Sequence, residues 1–384
     1  MNKLLWVTVA LNLSLMGGAC SDDRPSESSG TEAVDPGKAD SANEDGTCKP
    51  ASYARNWGKN PAVVRIADRQ RTLYALSDVH GEPVDLFEML ESAGLVSGSL
   101  KKPAWIGGKS VLVLAGDSLN KGDRSLDVLD LLMKLEEKAK DAGGALIALA
   151  GNHEIAFLAY PTHPKLAKIL QSAEDKGLSL CKDVHSPRSA YGAWLRNRPI
   201  AAVINGIFIS HSGNTRGMSI GEIEGSFEEA VDEGSWDSGF ACGTQSDGFF
   251  NRDQWWVDSS LRPDASIFDR ALEPLEVRQM MFGHDPGAFD ANHQMEGYFG
   301  DAAGRALIKL DMAISAPESR GSLYQCADWR DDGGCLLPRS AVNPEPGNSA
   351  FFSPLTVHQG DPPLPLTGPE VGDWCTGKGH QSPY

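Results

Sequence analysis

The chain has 384 residues, 41% of them hydrophobic, enough for one large domain or two modest ones with a sizeable core. Its formal net charge of -17 excludes the basic face that nucleic-acid binding requires. Part of the acidic excess is local. Residues 21–47 hold eight Asp/Glu and two Lys/Arg, a net of -6 from 8 minus 2, in a Ser-, Gly- and Pro-rich stretch that reads as a solvated linker.

The N-terminus reads as a targeting segment. Lys3 supplies a positive n-region and residues 4–16 a short apolar run, followed by Gly17, Gly18, Ala19 and Cys20. Thr8, Asn12 and Ser14 interrupt the run, and it is too short to span a bilayer as a stable helix. It resembles a bacterial lipoprotein signal with Cys20 as the lipidated residue, although Gly17 stands where such signals usually carry Leu. This implies a signal peptide over 1–19, a disordered acidic tether over 20–55 and an exported protein lipid-anchored to the cell envelope. Its one membrane contact would be that anchor. Cleavage near Ala19 and secretion is the alternative. Without Cys20 six cysteines remain, and an even count in an exported chain favours disulfides. Cys326 and Cys335 flank a short Asp/Gly-rich loop and form the best local pair.

The globular part is expected from 56 to 342. A strand over 72–76 runs into Asp78-Val79-His80-Gly81. Helical spacing of Val84, Leu86, Phe87 and Leu90 predicts a helix over 83–93, with Pro83 in its first turn. Val111 to Leu114 form a continuous apolar run, the mark of a parallel strand buried on both faces, and lead into Gly116-Asp117. A helix is expected over 123–142. Residues 145–149 repeat the strand pattern and end in Gly151-Asn152-His153-Glu154, where a third helix starts. Residues 161–199 break the alternation and read as an insertion covering the site, with a helix near 166–173. Two strands over 200–204 and 206–210 meet at Asn205-Gly206, a strong hairpin signal, and the second delivers His211. A helix over 219–231 follows, then an irregular Gly-, Asp- and Trp-rich stretch over 235–262. Residues 279–282 form a short strand ending in Gly283-His284, and 305–314 a closing strand. From 343 to 384 the chain is a Pro/Gly-rich tail with low packing potential.

Each strand end thus carries a polar donor to one edge of a sheet, where open α/β sheets bind ligands. The set is Asp78, His80, Asp117, Asn152, His211 and His284. Carboxylate, imidazole and amide oxygen together suit manganese, iron or zinc. Two ions fit better than one, because a single ion cannot take six protein donors and still hold a water. Asp117 sits mid-set and is the natural bridge. Two ions about 3.5–4 Å apart would activate a water and clamp a phosphoryl group for in-line attack.

The ordered series Asp-x-His-Gly, Gly-Asp, Gly-Asn-His-Glu, strand-borne His and Gly-His resembles the calcineurin-like metallophosphoesterases over residues 71–311. Within them it is most similar to the phosphoprotein phosphatase branch, especially the bacterial Shewanella-like group. The resemblance implies an α/β fold, a four-layer αββα sandwich of two sheets with helices outside. It implies one metal on Asp78, His80 and Asp117, and a second on Asp117, Asn152, His211 and His284. It makes His153 the general acid and gives Glu154 an orienting role. The implied reaction is hydrolysis of a phosphate monoester by a metal-bound hydroxide, most naturally on a phosphoprotein.

One loop departs from the family's Gly-Asp-x-x-Asp-Arg-Gly: Asn120 and Lys121 replace its Asp and Arg. The family's Asp orients the acid and its Arg grips phosphate. Asn120 can accept a hydrogen bond without carrying charge, and Lys121 offers a point charge rather than a fork. Reverting both is therefore expected to raise activity, unless Arg124 already holds the phosphate. Arg252, in an aromatic loop between the late histidines, is the other phosphate-binding candidate. The rivals are a small-molecule phosphatase or nucleotidase, and a lipid-anchored module that holds a phosphorylated ligand without turnover.

Overall fold

Strands buried on both faces force a layered arrangement, and the computed structural model shows how the layers are made. It describes residues 43, 47–49, 52–242, 248–251, 253–289, 295–301, 303–310, 321–342 and 347–363. These residues belong to one compact unit. Cys20, Cys375 and Arg252 lie outside the described residues.

The elements in chain order are β1 (Val63–Ile66), β2 (Leu73–Leu76), α1 (Pro83–Ser92), β3 (Val96–Ser99), β4 (Lys102–Trp105), β5 (Val111–Leu114), α2 (Ser125–Asp141), β6 (Ala145–Ala148) and α3 (Asn152–Ala159). There follow α4 (Ala167–Asp175), α5 (Ala190–Arg196), β7 (Ala201–Ile204), β8 (Ile207–Ser210), α6 (Ile220–Asp232), α7 (Gly239–Cys242) and α8 (Ala265–Leu272). The last are β9 (Gln279–Phe282), β10 (Gly297–Tyr298), β11 (Ala306–Lys309), β12 (Ser322–Cys326), β13 (Arg339–Val342) and β14 (Ser353–Pro354).

Two six-stranded sheets result, ordered β14-β13-β12-β2-β5-β6 and β1-β7-β8-β9-β11-β10, with β3-β4 as a separate hairpin. The period of two along each strand assigns its residues to layers. Val111 and Val113 of β5 face the space between the sheets, with Ile207 and Ile209 of β8 and Met281 of β9. Leu112 and Leu114 face outward onto Leu86 and Leu90 of α1 and Val128 and Leu132 of α2. Phe208, Met280 and Phe282 face the other way, onto Ile223 and Phe227 of α6 and Phe268 of α8. Each such side chain contributes about 1.5–3 kcal/mol when fully buried. This is the αββα sandwich that the resemblance implies.

The local signals act as expected at most ends. Asn205 (φ 48°) and Gly206 (φ 85°) both adopt the left-handed conformation of the tight turn joining β7 to β8. Ser219 caps α6 by accepting the Glu222 N–H, while the Glu222 carboxylate accepts the Ser219 N–H.

The outer segments correct the expected boundaries. The tether joins the domain before residue 56: Cys48 is disulfide-bonded to Cys181, and Arg55 is buried with its guanidinium donating to the carbonyls of Asn60, Pro61, Arg196 and Arg198. The region after 343 does not leave the domain at once. Ser353–Pro354 pair with β13, and Leu355 is buried in the inter-sheet core. Cys326 and Cys335 are bonded as expected, and Cys242 is also disulfide-bonded. These bonds fit an oxidising compartment. No helix among the described residues is long and apolar enough to cross a membrane.

Candidate active site

β2, β5 and β6 run parallel in one sheet and β8 and β9 in the other, and the turns beyond the two sets meet, His211 Nδ1 reaching the Ala115 carbonyl and Asp78 Oδ2 the His284 N–H. The turns beyond them are wired together by main-chain bonds: His80 N–H donates to the Asp117 carbonyl (2.9 Å) and Gly283 N–H to the His211 carbonyl (2.7 Å). Asp78, His80, Asp117, Asn120, Lys121 and His284 all have φ between 48° and 71°. Side chains other than Gly adopt that region at a cost of about 1–3 kcal/mol each, and such strain gathers at functional sites. Two glycines make room for the donors. A Cβ on Gly283 would lie 2.3 Å from Asp78 Oδ2, and one on Gly151 would lie 2.3 Å from Asp117 Oδ1.

Asp117 stands at the middle. Its Oδ1 lies 3.4 Å from His211 Nε2 and accepts the His153 N–H at 3.0 Å. Its Oδ2 lies 3.7 Å from both His80 Nε2 and His153 Nε2. Asp78 Oδ1 lies 3.6 Å from His80 Nε2, and Asp78 Oδ2 accepts the His284 N–H at 3.0 Å. Asp78, His80, Asp117 and His211 are buried, each at 2% exposure or less.

The donor set fits divalent cations. Asp78 Oδ1 is buried with no hydrogen-bond partner. The Asn152 amide oxygen faces the two Asp117 oxygens at 3.0 and 2.9 Å, a convergence of acceptors that a positive charge relieves. His80, Asp117 and His153 form one group with close donor atoms, and Asp117, His211 and His284 a second. Asp117 belongs to both. The imidazoles are pre-set as donors: His80 Nδ1–H donates to the Leu119 carbonyl (3.1 Å) and His211 Nδ1–H to the Ala115 carbonyl (2.9 Å), turning each Nε2 inward.

The electrostatics say the same. Burial raises the Asp78 carboxyl above the usual range, with Asp117 adding to it and His211 opposing. Burial opposes charge on His211, yet Asp117 and then Asp78 hold it up to about 10, so its imidazolium supplies the positive charge the carboxylates need. A cation bound there must displace that proton. Burial pushes His153 down to about 4 against the pull of Asp117, with Lys121 adding to the depression.

Glu154 proves to be a clamp. Its carboxylate accepts four main-chain N–H groups, from Gly151 (2.8 Å), Asp117 (2.9 Å), Ser118 (2.9 Å) and Leu119 (3.0 Å), tying the start of α3 to the Asp117 loop. Glu154→Gln would turn an amide NH₂ toward two of these donors. It is expected to cost about 2–6 kcal/mol, from two buried N–H groups left unpaired at about 1–3 kcal/mol each. Chemical denaturation checks this, and an unchanged midpoint would remove the clamp.

The departing loop is resolved by a neighbour that the motif does not contain. Asn120 Nδ2 lies 2.8 Å from the Lys165 carbonyl and 3.0 Å from His153 Nδ1. The carbonyl can only accept, so the amide must donate to it. Its second proton goes to His153, leaving the ring proton on Nε2. Asn120 therefore orients His153 as a donor, not as the acceptor that the family's Asp would be. Asn120→Asp is expected to set a carboxylate against the Lys165 carbonyl, lowering stability by about 1–3 kcal/mol and turnover with it. This reverses the gain expected from the motif. A thermal melt and a turnover assay decide it; a stable, faster variant would mean the amide faces the other way.

Lys121 lies in the site, its Nζ donating to His80 Nε2 at 2.8 Å. Arg124, the other phosphate candidate on this loop, lies at the start of α2. Its guanidinium pairs with Asp127 one turn along α2 at 2.8 Å and is half exposed. The 161–199 segment packs α4 along α2 and touches the site through the Lys165 carbonyl. The sequence reading does not single out Asp253, whose Oδ1 lies 2.9 Å from His284 Nε2. An aspartate in an irregular Trp-rich stretch carries no periodic signal.

The sequence profile of the calcineurin-like phosphoesterases matches residues 71–301, more than half of the chain, and the chain belongs to that family. A Shewanella-like protein phosphatase 2 of Arabidopsis thaliana is 31% identical over 133 residues, 32% of this chain and 33% of that one. An uncharacterised protein of Schizosaccharomyces pombe is 32% identical over 82 residues, 21% of this chain and 24% of that one. The chain thus spans a third or less of the length of these relatives. Among solved structures, a cold-active protein tyrosine phosphatase superposes with a TM-score of 0.60 at 19% identity, covering 78% of this chain and 82% of that one. That of a Shewanella species gives 0.58 at 19%, covering 77% and 82%. These likenesses show the shared fold.

Proposed function

We propose that the protein is a dinuclear-metal-dependent phosphatase that hydrolyses phosphate monoesters, with phosphoproteins as its substrates. The observation that carries this reading is the convergence on Asp117 of His80 and the orphaned Asp78 oxygen from one side and of His211 and His284 from the other, beside the His153 imidazole oriented to donate. Asp78, His80 and Asp117 would hold one cation, and Asp117, Asn152, His211 and His284 the other. When bound, such a pair supplies Lewis acidity and lowers the pKa of a water for attack on phosphorus. Lys121 supplies positive charge for the phosphate oxygens. His153 donates from Nε2 toward the leaving oxygen, and Asn120 fixes that orientation. Glu154 keeps the Asp117 loop in register with α3.

The phosphoprotein reading is supported by the partial relative from Arabidopsis thaliana, and the presence of His153 supports turnover over mere capture of a phosphorylated ligand. The same proposal places the protein outside the cytoplasm, which the disulfides favour, and anchors it through a lipid on Cys20. The test is turnover of phosphoserine, phosphothreonine and phosphotyrosine peptides against nucleotides, with manganese, iron or zinc added to metal-stripped protein. Absence of turnover on every ester with every ion would sink the enzymatic reading. Turnover of nucleotides alone would replace the phosphoprotein with a small molecule.

A further inference from the structure

The imidazoles of His80, His211 and His284 serve the proposed cation sites, and each is held at its outer nitrogen. Two are held by neutral main-chain carbonyls, Leu119 for His80 and Ala115 for His211. His284 is held by a charge: Asp253 Oδ1 lies 2.9 Å from its Nε2, with both side chains 14% exposed. A carboxylate oxygen 2.9 Å from Nε2 calls for a proton on that nitrogen, so the lone pair of a neutral His284 is on Nδ1. His284 thus presents the opposite nitrogen from the other two.

The charge balance gives that difference a purpose. The first half-site has the whole of Asp78 and a share of Asp117. The second has only its share of Asp117, with a neutral amide from Asn152 and two neutral rings once His211 has lost its proton. We propose that Asp253 is a positioning residue for the second cation: it fixes the tautomer of His284 and, through the ring, raises its donor strength where formal negative charge is short. Carboxylate partners of metal-bound histidines act in this way.

The loop that carries Asp253 is built to hold it still. Trp255 and Trp256 are buried in the core beneath, and the Trp255 indole N–H donates to the Ser212 carbonyl (3.0 Å), the residue after His211. The aromatic pair thus locks the Asp253 loop to the turn that supplies the other imidazole of the same half-site. That explains the Trp-Trp pair better than a phosphate-gripping loop alone does.

This inference rests on the two-ion reading, and the experiment separates the two. Metal-stripped protein is titrated with zinc against a chromophoric chelator, for the natural sequence and for Asp253→Asn, Asp253→Ala and Asp253→Glu, with a thermal melt of each. The natural protein should show two binding steps. In Asp253→Asn and Asp253→Ala the weaker step should lose about 10- to 100-fold in affinity while the tighter step holds. Asp253→Glu should recover part of the loss. The ¹⁵N spectrum of the zinc-loaded natural protein should show His284 coordinated through Nδ1. An unchanged second step in both Asn and Ala variants, or coordination through Nε2, overturns the role of Asp253. A single step in the natural protein overturns the two-ion reading and Asp253's role with it. A loss of both steps alongside a lowered melt in every variant, Glu included, marks a structural residue and also overturns the proposal.

Discussion

Asp117→Asn is expected to leave a folded protein that holds few or no metal ions and does not turn over phosphate esters. Both donor groups share Asp117, and both its oxygens face imidazole nitrogens at 3.4–3.7 Å. An amide offers one weak acceptor oxygen where the carboxylate offers two charged ones, and its NH₂ would point at a position meant for a cation. Loss of a single outer partner of a metal ligand costs about 10- to 100-fold in affinity. Loss of a donor shared by both halves should exceed about 100-fold. The fold should survive, because three main-chain N–H bonds to Glu154 hold the loop, and the amide oxygen of the variant can still accept the bond that the Asp117 side chain takes from the His153 N–H. Elemental analysis after gel filtration checks the metal, and a denaturation curve checks the fold. Unaltered metal content would remove Asp117 from the centre of the site.

His153→Asn is expected to leave the metals in place and slow turnover by roughly 10² to 10⁴-fold, the usual contribution of a positioned general acid. Its Nε2 is farther from Asp117 than a hydrogen bond, at 3.7 Å, and its Nδ1 is taken by Asn120, so it is placed to act on something bound rather than to hold the site together. The loss should be smaller for aryl phosphates, whose leaving groups need less help from a proton. With Asn120 donating to Nδ1 and burial lowering its pKa to about 4, His153 is neutral at pH 7 and gives a hydrogen bond more readily than a whole proton. This steepens the expected preference for good leaving groups. Steady-state kinetics on paired aryl and alkyl phosphates supply the measurement, and equal losses on both would argue against the acid role.

Departures from a motif are where sequence and structure part. Asn120 reads in the motif as a weakened Asp, because a motif shows what is replaced and not what lies opposite. The carbonyl that gives the amide its direction comes from Lys165, 45 residues along the chain. Arg124 reads as a spare phosphate grip because it is basic and near the loop, yet the first turn of α2 sets it over Asp127. Asp253 is unremarkable in sequence, and only the superposition of its loop on the end of β9 brings it to His284.

What the sequence by itself determined is the strand-end donor pattern and the alternation of strand and helix that carries it. The continuous apolar runs of four-residue strands and the Gly-Asp and Gly-Asn-His-Glu turns are local, so their meaning travels with a few neighbouring residues. The tertiary structure decided everything that needs two distant segments at once. It chose Cys48 for Cys181 across 133 residues, and it slid β12 between β13 and β2 to extend the first sheet. It also set a carboxylate against one imidazole and carbonyls against two others. Such pairings are fixed by packing and by the need to satisfy buried polar groups, and those requirements appear only when the layers close.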